Sequence, residues 1–442
     1  MVRLGQKISK SEVAATDFVL SKWREFGFSL LVFSFVLLEI ILPRLDGGQR
    51  PNLPLFACFA LLIILFNFRY LRRNLSLLKK PPFFLFFLYI MWLFASTSWS
   101  YLPSESMLQA GIFGIGFMSV LCFSDLPAYI TARKVISLTL WVCVAGWIFL
   151  LINPQVAASS HVMWRLNGIM NHCQHLCLLV VLALVFLTVQ RTRKNQDSKG
   201  LLKYAPFFYT AFIFLLVTLL FTKTRAFTTF GLLSIGGIYY LNAKKVKKII
   251  IIGLVLMAGL TFFFDKDIIR DVYARQESND ETLTGRVTIW QKSLDMVAIK
   301  PLRGYGFSTF NSDLTSSFFT GYTAAHAHNA WINAAFEIGI IGTTLLTLFL
   351  LTGLATYWRL FKKTGKVSYG FFALLITFFA GFMGVIFGGK LGTSVAIVLL
   401  LMSQEFNVDK KPHSPRRGLQ DRSMGMRKPA QYQSGRRGSI PL

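Results

Sequence analysis

The chain reads as an all-α polytopic membrane protein, with about 12 transmembrane helices and one large outer loop containing short helices. Three observations predict this. Of its 442 residues, 54% are hydrophobic and the mean hydropathy is +0.52, above the balance of an ordinary soluble domain. Apolar runs recur that approach the roughly 20 residues needed to cross a bilayer core. The lysines and arginines gather in alternate loops, as the positive-inside rule requires. Lipid offers no partner for a bare backbone N–H or C=O, so each apolar run is expected to be a helix.

A polar, basic stretch at residues 1–27 leads directly into the first run, with no cleavable signal peptide evident. The runs fall near 28–43, 52–68, 82–98, 106–123, 135–152, 173–189, 205–221, 226–241 and 248–264, and then near 331–357, 369–386 and 390–404. They group into spans one to nine within 28–264 and spans ten to twelve within 331–404. With the N-terminus inside, the inner segments carry 34 of the 47 lysines and arginines and the outer segments 13. Both termini are therefore expected in the cytoplasm. The net charge of +27 follows from this orientation bias, so no nucleic-acid partner is inferred. The five cysteines, at 58, 122, 143, 173 and 177, lie mostly in or beside apolar runs and fit free buried thiols better than a disulfide framework. The tail, 405–442, is basic and rich in Ser, Pro and Gly; disorder is expected there, with anionic membrane lipids as possible contacts.

One outer loop, about 265–330, is out of scale with the others, and a loop of that length is usually functional or disordered. Its stretch TGRVTIWQKSLDMVAIKPLRGYGFSTF spaces Ile289, Trp290, Leu294, Met296, Val297 and Ile299 like an amphipathic helix. Thr284 and Gly285 stand just before that helix, and Pro301 and Gly304 just after it, as stop signals do. A small folded cap on the outer surface is expected.

Polar groups gather on the same face. His326 and His328, in HAHNAWINAAFEIGIIG, stand at the outer mouth of span ten, a wet interface where a neutral imidazole can take a proton. Lys223 and Arg225 lie in TKTRAF, a tight outer turn between spans seven and eight. Arg286 opens the cap helix, and Arg165 lies in HVMWRLNGIMNHCQH among His161, His172 and His175. Guanidinium groups at headgroup depth suit an anion, which they grip with paired bonds to phosphate oxygens.

In TKTRAF, the cap-helix segment and HAHNAWINAAFEIGIIG, and in their order, the chain resembles the O-antigen ligase and Wzy-type polymerase superfamily, in particular its exopolysaccharide polymerization branch. The resemblance covers roughly residues 160–405. It implies a metal-independent glycosyltransferase of the bacterial inner membrane, with a large periplasmic loop and no cofactor. It implies an undecaprenyl-diphosphate-linked glycan donor, an acceptor glycan, and a flippase and chain-length regulator as possible partners. Carried over by residue, Arg225 and Arg286 would hold the donor diphosphate, and His328, followed by Asn329, would take the proton of the acceptor hydroxyl. Arg165, Lys223, His326 and Asn329 would give support. Polymerization of exopolysaccharide or O-antigen units is favoured over ligation to lipid A core.

Blander readings stand beside these. His328 could cap a helix, Arg225 could snorkel to the headgroups, and Arg286 could pair with Glu281 or Asp280. Arg303 in PLRGYG reads as a surface charge. His172, Cys173, His175 and Cys177 offer metal-type donors, but their helical spacing divides them between faces, so a cluster lining the polar cavity is preferred. GYGF at 304–307 follows no strand, which excludes a nucleotide-binding reading. Glu39, Asp46 and Glu105 could bind sugar hydroxyls, but nothing in the sequence raises them above ordinary loop acids. Glu337, inside span ten, should face the protein interior. A transporter is the alternative class, but it predicts charge near the midplane and two related halves, whereas here the charges cluster at the outer ends.

Overall fold

The computed structural model describes residues 10–40, 52–159, 165–170, 172–193, 205–242, 283–318, 326–382, 384 and 391–407. All of them belong to one compact unit, Met1–Asn407. The ninth apolar run, the loop from 265 to 282, Asp46, His161 and the tail beyond Asn407 lie outside the described residues.

Helices dominate, as expected. They are α1 (Lys10–Leu37), α2 (Asn52–Asn74), α3 (Pro81–Ser96), α4 (Pro103–Leu121) and α5 (Ala128–Ile152), followed by the single turn α6 (Pro154–Ala157). Two-residue strands β1 (Ala158–Ser159) and β2 (Arg165–Leu166) pair antiparallel. Then come α7 (Cys173–Thr192), α8 (Ala205–Phe221), α9 (Arg225–Asn242), α10 (Leu283–Ile299), α11 (Asp313–Phe318), α12 (Ala330–Thr364), α13 (Tyr369–Ala380) and α14 (Thr393–Phe406). Every apolar run that falls on described residues lies largely on one of these helices. Five stretches are long and apolar enough to cross a membrane: Leu53–Lys79, Pro81–Trp99, Ala128–Ile152, Cys173–Thr192 and Ala330–Thr364. Three shorter apolar helices, α8, α13 and α14, accompany them.

Burial separates the helices by role. α7 is apolar on every side, CLLVVLALVFL, and is buried continuously from Leu176 to Val189; a helix without a polar face belongs inside the bundle. α14 is likewise buried along its whole length. Around them, Phe66, Leu151 and Leu65 turn outward and are 85%, 85% and 71% exposed. That outer apolar surface suits lipid.

α12 is not the continuous span that its sequence suggests. Gly339 has φ +67° and ψ −176°, which breaks the helix. The strap Pro301–Phe310, which follows α10, fills the break. Ile340 N–H donates to Pro301 O (2.8 Å), Tyr305 N–H to Phe336 O (3.0 Å) and Gly306 N–H to Glu337 O (2.8 Å). Trp92 Nε1 donates to Ile338 O at 2.9 Å. Glu337 faces the interior, as expected, and accepts the Phe310 N–H at 3.3 Å. GYGF is therefore more than a turn closing the cap helix: it satisfies backbone groups that the break exposes, a necessity where no water can do so.

The cap helix α10 begins one residue before Thr284, so Thr284 and Gly285 lie in its first turn rather than ahead of it. Ile289, Met296 and Val297 pack with Tyr305, Phe310, Ala327 and Phe336 in a small core. Leu294 and Ile299, expected on the same face, point outward at 51% and 61% exposed.

Candidate active site

Three helices begin at the same place. α7 starts after His172, whose Nδ1 accepts the Gln174 N–H at 3.1 Å. α9 starts at Arg225, after the turn Thr222–Thr224. α12 starts after Asn329, whose Oδ1 accepts the N–H groups of Trp331 (2.9 Å) and Ile332 (3.2 Å). The end of α13 joins them: Gly381 O accepts the Ala330 N–H at 2.7 Å. A methyl group added at Gly384 would lie 3.4 Å from Gln174 Oε1 and 3.6 Å from the Phe227 ring. Gln174, Phe227 and Ala330 belong to the first turns of α7, α9 and α12, so three positive helix ends converge.

His328 stands at this point with φ +51°, a left-handed conformation that costs a non-glycine residue about 1 kcal/mol or more. Its surroundings hold it there. Its own N–H donates to His326 Nδ1 (3.3 Å), with the two rings 4.1 Å apart and nearly perpendicular. On one side of it Ala327 N–H donates to Asn333 Oδ1 (3.2 Å), and Trp290 Nε1 of α10 donates to Ala327 O (2.9 Å). The chain here is thus fixed to both α12 and the cap helix. Lys223 repeats the conformation, with φ +48° in the turn before Arg225. Among the described residues only Lys223, Ser308 and His328 are non-glycine positions with positive φ, so two of the three adjoin this point.

Electrostatics explains the state of the imidazole. Burial pushes the His328 pKa down to about 3, and the neighbouring His326, Arg286 and His172 add to the effect. Burial also lowers His172, to about 4, reinforced by His175, His326 and Arg165. A ring held neutral keeps a lone pair for a proton. His328 Nδ1 is buried with no hydrogen-bond partner among the described residues.

The sequence candidates are therefore brought together to differing degrees. His326, His328, Arg286, His172 and Arg165 share one electrostatic neighbourhood. The Arg165 guanidinium and the Thr224 hydroxyl lie near the Cys173 thiol, which brings β2 and the TKTRAF turn close to the start of α7. Arg225 opens α9, and its description stops at the backbone. Lys223 is exposed. Asn329 has a structural duty as the cap of α12. Of the four donors weighed as metal ligands, His175 turns to Glu39, with Nδ1 3.1 Å from Oε2.

Glu39, read from the sequence as a loop acid that could bind sugar hydroxyls, is placed more specifically than that reading gave. It is no loop acid: it closes the first span, its Oε1 accepts the Thr393 N–H at the start of α14 (2.8 Å), and its Oε2 faces His175. The available signal was its position as the one carboxylate in the 28–43 run, since an ionisable group in an apolar span marks a functional position by default.

Residues 210–347 match the family model described as O-Antigen ligase. The chain is 37% identical over 81 residues to the exopolysaccharide production protein ExoQ of Rhizobium meliloti (strain 1021), a segment that is 16% of this chain and 19% of that protein. It is 28% identical over 151 residues to a "Putative polysaccharide ligase" of Rickettsia felis (strain ATCC VR-1525 / URRWXCal2), covering 31% of this chain and 36% of that protein. The matches thus span about a fifth and about a third of these relatives. The family segment holds Lys223, Arg225, Arg286, His326, His328 and Asn329, and omits Glu39, Arg165 and His175. Through residues 210–347 the chain is similar to the O-Antigen ligase family.

Proposed function

We propose that the protein transfers a glycan from undecaprenyl diphosphate to an acceptor sugar hydroxyl at the periplasmic face of a bacterial inner membrane, polymerizing exopolysaccharide or O-antigen repeat units. The observation that carries this reading is the meeting of three helix N-termini around Gly381 and Gly384, with a neutral histidine held among them and Arg286 within its field. Helix N-termini and guanidinium groups favour the negative charge of a diphosphate. The neutral imidazole serves as base. In this scheme the acceptor oxygen attacks the anomeric carbon with inversion as its proton passes to His328. The bond from that carbon to the diphosphate breaks, and its electron pair leaves on the phosphate oxygen, where Arg225 and Arg286 stabilise it. Arg165 and Lys223 extend the positive surface, and His326 and Asn329 hold the base in place. Cationic groups fixed before the reaction act where charge develops and need no reorganisation.

The same reading takes residues 265–330 as a periplasmic cap, twelve spans with both termini in the cytoplasm, and a flippase and chain-length regulator as working partners. Ligation to lipid A core is the second reading; the name of the Rickettsia relative favours it, and the site chemistry is the same.

Arg286→Ala in the full chain should lower transfer by about 10²- to 10³-fold, the usual cost of removing one charge-stabilising donor. Arg286→Lys should recover part of this, since lysine keeps the charge and loses the paired bonds. The measurement is a gel of surface glycan with quantified lipid-linked single units. A normal ladder from Arg286→Ala at wild-type protein level sinks the proposal. In a deletion strain, a lost ladder with single units still on the core indicates a polymerase, and free polymer without attachment indicates a ligase.

A further inference from the structure

We infer that Glu39 and His175 form the subsite that receives hydroxyl groups of the acceptor saccharide; this rests on the transferase reading above. The pair is built into the fold. Glu39 Oε2 lies 3.1 Å from His175 Nδ1, and Oε1 accepts the Thr393 N–H at 2.8 Å. Thr393 in turn donates its hydroxyl to Phe35 O at 2.6 Å. Ile40, next to Glu39, bridges to Met170 just before α7. Three separate parts of the chain thus fix one carboxylate. A partly exposed pair of this kind adds little stability, which is small return for that much placement.

The pair opens on the same mouth as the base. His175 is 43% exposed at its side chain, and Glu39 is 13% exposed. The His175 and His172 rings are 6.1 Å apart, and those of His326 and His328 are 4.1 Å apart. The start of α7, which carries His172 and His175, meets the start of α12 through Gly381 and Gly384. Arg286 acts at the His328 end of this row of histidines, and Glu39 closes the His175 end.

Charge then assigns the occupant. A carboxylate repels a diphosphate, so the Glu39 end cannot serve the donor head. An ionised carboxylate offers about four lone-pair positions; Glu39 commits one of them to the Thr393 N–H, while Oε2 faces His175 Nδ1. The remainder, with the outer edge of the His175 ring, suits the hydroxyls of a neutral sugar. The base His328 would lie between acceptor and donor, where a base that serves both must be.

The test is equilibrium binding to the full chain in lipid nanodiscs, with two probes. One is the repeat-unit oligosaccharide released from its lipid by mild acid, and the other is undecaprenyl diphosphate. Glu39→Gln and His175→Gln should each weaken oligosaccharide binding about tenfold, the effect of roughly one hydrogen bond to a charged group, and leave undecaprenyl diphosphate binding within about twofold. That retained binding also reports a folded site. Unchanged oligosaccharide affinity, equal weakening of both probes, or no oligosaccharide binding by the wild type overturns the inference. Arg286→Ala should show the opposite pattern. If it binds undecaprenyl diphosphate normally, the transferase reading fails independently of the Glu39 result.

Discussion

Replacing His328 by alanine should reduce polymer formation by about 10²- to 10⁴-fold, the usual cost of losing a general base, with lipid-linked single units accumulating in its place. His328→Gln should be equally inactive, since an amide has no titratable lone pair. A pH profile separates a base from a helix cap. In the free protein, burial and the nearby Arg286 hold the imidazole near 3, so kcat/KM should stay level from about pH 8 to about pH 5, where an unperturbed histidine would already have lost activity. The bound donor then changes the sign of the field. A diphosphate beside the ring favours the imidazolium and raises its pKa, so the acid limb of kcat should lie at higher pH than that of kcat/KM. Stability follows the same ring in the opposite sense. Unfolded chain binds the proton below about 6.5, while the folded site refuses it down to about 3, so the folded state weakens as pH falls through that window. Coincident acid limbs near neutral pH for both parameters would exclude His328 as the base.

Much of this site was legible in the sequence because its residues sit at element boundaries with strong local signals. The apolar runs mark the helices, and the polar punctuation between them, TKTRAF and HAHN, marks the helix starts where charge collects. The cap helix was legible from its apolar spacing and its Pro301 stop. Three features were not. Glu39 meets His175 across a gap of 136 residues (175 minus 39), and no local pattern reports a pairing through space. Leu294 and Ile299 face outward because at 3.6 residues per turn they lie roughly 140° and 80° around the helix from Ile289, to either side of the face that Ile289, Met296 and Val297 pack. The break at Gly339 lies inside IGIIG, whose hydropathy is that of an ordinary span. Periodicity registers which residues are apolar and does not register whether their backbone stays helical.

That break supports the second prediction. Gly304→Ala should destabilise the protein by about 3–5 kcal/mol, through a strained φ, a steric clash and lost backbone bonds together. Gly304 has φ +67°, and a β-carbon there would lie 2.5 Å from Phe336 O and 2.6 Å from Glu337 O, the two carbonyls that receive the strap. Neither can yield without releasing the Tyr305 and Gly306 N–H bonds. Gly365→Ala provides the control, since Gly365 has φ +64° with nothing within 4 Å; only the conformational cost applies, about 1 kcal/mol. Thermal unfolding in detergent should rank the two clearly, and equal melting temperatures would remove the strap from this account. Function should fail along with packing. Tyr305 stacks on Phe336 at 4.9 Å and its hydroxyl donates to Met296 O at 3.1 Å, so the strap joins the outer half of α12 to the cap helix. One end of that joint carries His328 and the other carries Arg286. A folded fraction of Gly304→Ala should therefore transfer glycan poorly even below its melting temperature, because a base and a charge clamp that move independently no longer meet one leaving group.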